Sequence, residues 1–163
     1  MINWGLIGAI LTPNVGGWLS ALSMSGQVRR PDGKAWYQLL NKPPWTPLDW
    51  VFGPAWIVLY CSMGFASYRV YQECGGFTAE SVYPLALYGG QLVLNWGWTP
   101  VFFGLHRVGF ALLHMLALDV IAVACTVSFY QTTPVAGYFM LPYLGWLTFA
   151  TCLNYSIWRR NKF

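Results

Sequence analysis

Residues 108–129, VGFALLHMLALDVIAVACTVSF, decide the fold class, because this run of 22 residues carries one acid, Asp119, and no Lys or Arg. A helix rises 1.5 Å per residue, so about 20 apolar residues cross the ~30 Å hydrocarbon core of a bilayer. The rest of the chain repeats the pattern: residues 1–28, 50–68, 81–106 and 130–158 contain no Asp, Glu, Lys or Arg. The expected architecture is all-α, a bundle of five transmembrane helices near 4–24, 47–70, 82–105, 108–129 and 135–157. One domain covers 1–163, and the longest connection is a loop at 25–46.

Composition agrees with a membrane setting. Of 163 residues, 56% are hydrophobic and 9% charged, whereas soluble domains are about a quarter charged. Ten each of Trp, Tyr and Phe are present, many near segment ends, including Trp4, Trp36, Trp45, Trp50, Tyr71, Tyr130 and Trp158. Amphipathic rings favour the headgroup level, so this distribution fits an interfacial belt. The apolar N-terminal stretch lacks a basic leading segment and is interrupted by Thr12-Pro13-Asn14, so it reads as the first helix and not as a removable signal. Cys61, Cys74, Cys125 and Cys152 show no metal or redox spacing and read as free thiols; no metal site is expected.

Basic residues orient the chain. Arg29, Arg30, Lys34, Lys42, Arg107, Arg159, Arg160 and Lys162 fall on one side of a five-span topology and only Arg69 on the other. The positive-inside bias then puts the first loop and the C-terminus in the cytosol. The net charge of +4 lies along this boundary, which suits topology and anionic lipid and not nucleic acid. Within the first loop, Trp36, Pro43, Pro44 and Trp45 form an aromatic and proline-rich segment. Its prolines are expected to hold the backbone extended, either as a lid across the bundle mouth or as an interfacial connector.

The motifs Trp36-Tyr37, Lys42-Pro43-Pro44-Trp45-Thr46-Pro47, Gly53-Pro54-Ala55-Trp56, Gly75-Gly76-Phe77-Thr78, Leu87-Tyr88-Gly89-Gly90-Gln91-Leu92-Val93-Leu94-Asn95-Trp96 and Leu141-Pro142-Tyr143-Leu144-Gly145-Trp146 occur in that order. Together they resemble the translocator protein family, the TspO or peripheral benzodiazepine receptor group, and look closer to animal members than to bacterial ones. The resemblance implies a five-helix membrane protein, often a homodimer. In animals it sits mainly in the mitochondrial outer membrane, with the endoplasmic reticulum or plasma membrane as alternatives. It also implies binding of cholesterol, of porphyrins including protoporphyrin IX and haem, and of drug-like benzodiazepine and isoquinoline carboxamide ligands, with no obligatory cofactor.

Candidate positions follow from helix geometry and from that resemblance. On the last helix Trp146, Ala150, Leu153 and Ile157 share a stripe, with Thr148, Tyr155 and Arg159 roughly opposite. The family's cavity lies inside the bundle, and the matching positions are Trp146, Ala150 and Leu153, with Phe52, Gly53, Trp56 and Tyr60 on the second helix, Ala21 and Met24 on the first, and Phe110 and Leu113 on the fourth. A Trp above a small Ala makes a notch for a planar guest, or is ordinary large–small packing. On the third helix Tyr88, Gln91, Asn95 and Trp98 form a stripe whose amides should face the interior, to hydrogen-bond a ligand or to join helices.

The segment Leu153, Tyr155, Arg159 satisfies a proposed cholesterol pattern, although Leu153 points away from the other two. Asp119 needs a partner or a proton at mid-helix, and lies ~140° around the helix from His114, so the two do not pair. His114 is either a helix-to-helix hydrogen bonder or a haem ligand. No acid–base or nucleophilic constellation appears. The leading reading is therefore a non-enzymatic receptor and carrier. Its rivals are a photo-oxidative porphyrin-degrading enzyme using Trp56 and Trp146, and a regulatory scaffold subunit.

Overall fold

The computed structural model describes residues 2–28 and 35–161, and the described residues form helices without strands. In chain order these are α1 (Trp4–Ser23), α2 (Ser25–Val28), α3 (Trp36–Leu39), α4 (Asp49–Glu73), α5 (Ala79–Thr99), a π turn (Pro100–Gly104), α6 (Val108–Thr132) and α7 (Pro134–Arg160). Five of these helices have 20 or more residues. Of the five, α1, α4, α6 and α7 are long and apolar enough to cross a membrane. The fifth, α5, falls short because Glu80, Gln91, Asn95 and its Tyr, Trp and Gly residues lower its average hydropathy. Its two amides nevertheless point inward and find protein partners, so their polarity is not presented to lipid.

Helix ends have local causes. Asn3 caps α1 by accepting the Leu6 amide at 3.0 Å, leaving one fewer orphan donor. Between α4 and α5 the chain reverses at Gly75 and Gly76, with φ of 69° and 114°, values that L side chains avoid. At the other end of α5, Pro100 opens a wide turn in which the Leu105 amide reaches back to the Pro100 carbonyl at 3.0 Å. That turn carries Phe102 and Phe103 into the bundle.

The long helices pack in the cyclic order α1, α4, α7, α6, α5, with α5 closing back on α1. Without a hydrophobic drive between helices in lipid, close approach depends on small residues. Gly64 of α4 shows this: a β-carbon there would stand 2.5 Å from the Ala9 carbonyl oxygen of α1. Gly16 and Gly17 of α1 do the same for the rings of Trp96 and Tyr60. The core between α4, α5, α6 and α7 holds Met63, Val70, Met115, Leu118, Phe129 and Tyr143.

Two expectations need correction here. The first loop contains helix that was not expected, because α2 and α3 are single helical turns within it; among the described residues the proline-rich stretch after α3 is non-helical. The helices also run further than expected, to Glu73 in α4 and Arg160 in α7. Apolar length limits a bilayer crossing, whereas backbone hydrogen bonding carries a helix on beyond it. Of the basic residues used to orient the chain, Arg29, Arg30, Lys34 and Lys162 lie outside the described residues.

Candidate functional site

A cavity of about 310 Å³ opens inside the bundle, beneath the first loop. This is within the roughly 300–1,000 Å³ of small-molecule sites. Trp146 and Ala150 of α7 and Trp56 of α4 form much of its wall. The two indoles meet edge to face, with centroids 6.4 Å apart and planes at 81°. Phe52 lies against Trp146 at 5.9 Å, and Tyr60 stacks under Trp56 at 5.2 Å. The edge-to-face contacts set the aromatic walls at steep angles to one another and give the cavity flat faces.

Tyr60 and Asn95 at its floor begin a hydrogen-bonded chain that continues behind it across three helices. The Tyr60 hydroxyl donates to Asn95 Oδ1 at 2.6 Å. Asn95 Nδ2 donates to the Tyr143 hydroxyl at 3.2 Å, which in turn donates to Gln91 Oε1 at 2.6 Å. Gln91 Nε2 ends the chain on Met63 Sδ at 3.7 Å. Buried polar groups are costly unless paired; here each satisfies the next, and α4, α5 and α7 are held in register.

The structure places the expected lining residues as follows. Ala21, Met24, Phe52, Gly53, Trp56, Tyr60, Asn95, Trp98, Trp146, Ala150 and Leu153 all border the cavity. Gln91 does not; it is fully buried behind Tyr143 and serves the hydrogen-bond chain. Phe110 and Leu113 do not either, being 58% and 64% exposed on the outer side of α6. The α6 residues that reach the cavity are Met115 and Leu118. α6 is mostly apolar, and its mid-helix polar residues His114 and Asp119 find partners on α5 and α7, so which side chains reach the cavity depends on how it packs between those two helices.

The loop borders the cavity through a different residue from those expected. Tyr37 borders the cavity, whereas Trp36, Pro43, Pro44 and Trp45 do not. Trp36 instead stacks on His106 at 4.3 Å and meets Phe102 edge-on at 5.4 Å; Trp45 meets Phe149 at 5.8 Å. Pro43 is buried and Pro44 exposed. These contacts hold the loop down around Tyr37. Lys42 Nζ sits 4.1 Å above the Tyr37 ring. Burial, and secondarily the charge of Asp49, pushes the Tyr37 hydroxyl up to about 12. Tyr37, Asn154, Phe102 and Phe103 were missed as lining residues, and the only sequence signal for Tyr37 was its adjacency to Trp36.

The two faces of α7 separate cleanly. Trp146, Ala150, Leu153 and Ile157 border the cavity, while Thr148, Tyr155 and Arg159 are exposed on the outside. Leu153 is 5% exposed and Tyr155 49%, so the three residues of the sterol pattern do not share one surface. Asp119 accepts a hydrogen bond from Thr151 Oγ1 of α7 at 2.7 Å. The His114 ring engages the Leu94 carbonyl at 2.8 Å, which makes Nε2 the donor and removes it as a free ligand atom. Among the described residues no group of three His, Cys, Asp or Glu side chains is placed to hold a metal.

The sequence comparisons agree with this geometry. Residues 9–159 match the TspO/MBR family model. Over 95% of its length the chain is 46% identical to the translocator protein of Homo sapiens, covering 89% of that protein. It is 44% identical to the Sus scrofa translocator protein, over 96% of this chain and 89% of the relative. A bacterial relative, the tryptophan-rich sensory protein of Cereibacter sphaeroides, is 41% identical over 86% of this chain and 85% of its own length. This chain is a membrane protein that belongs to the TspO/MBR family.

Proposed function

We propose that the chain is a five-span membrane receptor and carrier whose cavity takes a flat, apolar guest of the porphyrin or benzodiazepine type. The observation that carries this reading is the aromatic enclosure: Trp56, Phe52 and Trp146 wall a hollow whose polar floor is already internally paired. Such a site rewards stacking and apolar area and has little to offer a charged, hydrated substrate. Family membership supports counting α5 as the fifth span, together with homodimer formation and residence in the mitochondrial outer membrane. The basic side chains Lys42, Arg107, Arg159 and Arg160 support a cytosolic C-terminus.

A separate cholesterol contact is supported on the outer face of α7, where Tyr155 and Arg159 are exposed one turn apart. Leu153 belongs to the cavity and takes no part in it. The decisive experiment is a titration of the purified protein in lipid with protoporphyrin IX and with cholesterol, followed by tryptophan fluorescence and visible absorption. Tyr155→Ser or Arg159→Leu is expected to weaken cholesterol binding and spare porphyrin. Loss of both together would overturn the two-surface assignment, and no porphyrin binding by the wild type would overturn the cavity reading.

The proximity of the Trp56 and Trp146 indoles on one cavity wall favours a second reading, photo-oxidative breakdown of a bound porphyrin. Under illumination with oxygen, Trp146→Phe would then abolish product while largely keeping affinity. On the receptor reading neither protein yields product.

A further inference from the structure

Two buried polar atoms belonging to cavity-lining residues have no hydrogen-bond partner among the described residues: Trp98 Nε1 and Asn154 Oδ1. Trp98 lies one turn beyond Asn95 toward the loop, and Asn154 lies one turn beyond Ala150 in the same direction. Asn154 is 2% exposed, and its Nδ2 donates to the Val108 carbonyl at 3.4 Å. A carbonyl only accepts, so this bond fixes the amide orientation and leaves Oδ1 as the orphan. The Trp98 indole is stacked on Phe102 at 4.8 Å with planes 22° apart, and meets Phe103 edge-on at 6.0 Å. It cannot turn its N–H toward another partner without losing that packing.

An unpaired donor or acceptor in an apolar interior costs free energy, so a native structure that keeps one calls for a reason. Here a donor and an acceptor are both left over at the loop end of one cavity, while the polar groups at its floor are paired. We propose that Trp98 and Asn154 form a polar head subsite for a flat apolar ligand bearing a neutral group that both accepts and donates, such as a hydroxyl or a secondary amide. The indole N–H donates to the ligand oxygen, and the ligand O–H or N–H donates to Asn154 Oδ1. A carboxylate would satisfy Trp98 but would set acceptor against acceptor at Asn154. The head selected is therefore neutral. This inference rests on the cavity being a ligand site and names the chemistry of its guest.

The test compares 9-phenanthrol with phenanthrene, which share a flat body and differ by one hydroxyl. Fluorescence titration of the full chain in phosphatidylcholine vesicles is carried out for wild type, Trp98→Phe and Asn154→Leu, each affinity being referred to the probe's partition into protein-free vesicles. Two hydrogen bonds of ordinary net strength correspond to a preference on the order of tenfold for the hydroxylated probe. Wild type is expected to show that preference, and each variant to lower it several-fold while still binding phenanthrene. A wild type with no preference overturns the subsite, as does a preference that survives in both variants. The wild-type comparison decides alone if a variant fails to fold. Should the wild type bind protoporphyrin IX but neither arene, the subsite fails and the cavity reading stands; should it bind none of the three, the cavity reading itself fails.

Discussion

Asn41 and Asn161, 120 positions apart in the chain, exchange two hydrogen bonds: the Asn41 amide donates to Asn161 Oδ1 at 2.8 Å, and Asn161 Nδ2 donates to the Asn41 carbonyl at 3.0 Å. Asn161 Nδ2 also reaches the Ile157 carbonyl at 2.7 Å, closing the last turn of α7. One side chain thus ties the first loop to the end of the helix that carries Trp146 and Ala150. The tie anchors the loop four residues after Tyr37 to the end of the helix that forms the cavity wall. Replacing Asn161 with Ala is expected to speed hydrogen exchange at the Asn41 amide by about tenfold and leave the amides of the α7 interior protected. Unchanged exchange at Asn41 would show that ring packing alone holds the loop.

Tyr37 gives the loop a pH dependence at its alkaline end. A free tyrosine hydroxyl ionises near 10, and burial beside Asp49 raises that of Tyr37 to about 12. Because the value in the closed loop lies above the free value, the contribution to closure is complete below pH 10 and disappears as pH rises through 12. Ultraviolet titration of wild type minus Tyr37→Phe is expected to show one phenol ionising near 12. A difference curve centred on 10 would mean that the ring is not held in the closed position.

Tyr143 is the hub of the hydrogen-bonded chain behind the cavity floor, accepting from Asn95 and donating to Gln91. Tyr143→Phe keeps the ring and orphans an amide on either side, so a loss of about 1–3 kcal/mol is expected. Tyr60→Phe removes one terminal bond and should cost less. Thermal unfolding in a single detergent measures both, and equal midpoints for the two variants would argue against a connected chain.

Gly64 sets the separation of α1 and α4. A methyl group there would meet the Ala9 carbonyl oxygen at 2.5 Å and Ile10 Cα at 2.6 Å, and backbone does not yield as a flexible side chain would. Gly64→Ala is expected to destabilise the fold by about 1–3 kcal/mol as an overpacking change. Gly145→Ala, where nothing lies within 4 Å of the added carbon, serves as the neutral control. A Gly64 variant that melts with the control would mean that the two helices separate freely.

What could be read directly from the residues differed from element to element. The α7 stripe of Trp146, Ala150, Leu153 and Ile157 was legible because Thr148, Tyr155 and Arg159 mark the opposite side, and 100° per residue separates the two faces. The inward turn of Gln91 and Asn95 followed from the cost of amides in lipid. Which of them reaches the cavity did not follow, since it depends on Tyr143 arriving from another helix to cover Gln91. Phe110 and Leu113, expected inward from the resemblance alone, face outward while Met115 and Leu118 line the cavity, because the polar residues His114 and Asp119 turn α6 toward their partners on α5 and α7. Tyr37 and Asn154 acquire their places through contacts 46 to 66 positions away in the chain, Tyr37 with Phe102 and Phe103 after α5 and Asn154 with Val108 of α6, and the one local signal is that Tyr37 adjoins Trp36.

By itself the amino-acid order determined where the long helices must form, though not where they end, since a charge is costly in hydrocarbon and a long interval without one can be satisfied only by internally bonded backbone. The rotation of α6, the choice of Tyr37 as the residue beneath the loop, and the pair of unsatisfied atoms at Trp98 and Asn154 were decided by tertiary packing. The physical reason is that lipid and protein interior are both apolar: hydrophobicity tells a membrane helix that it is buried but not which way to face, and only the fit of small residues, rings and paired amides against their neighbours supplies that direction.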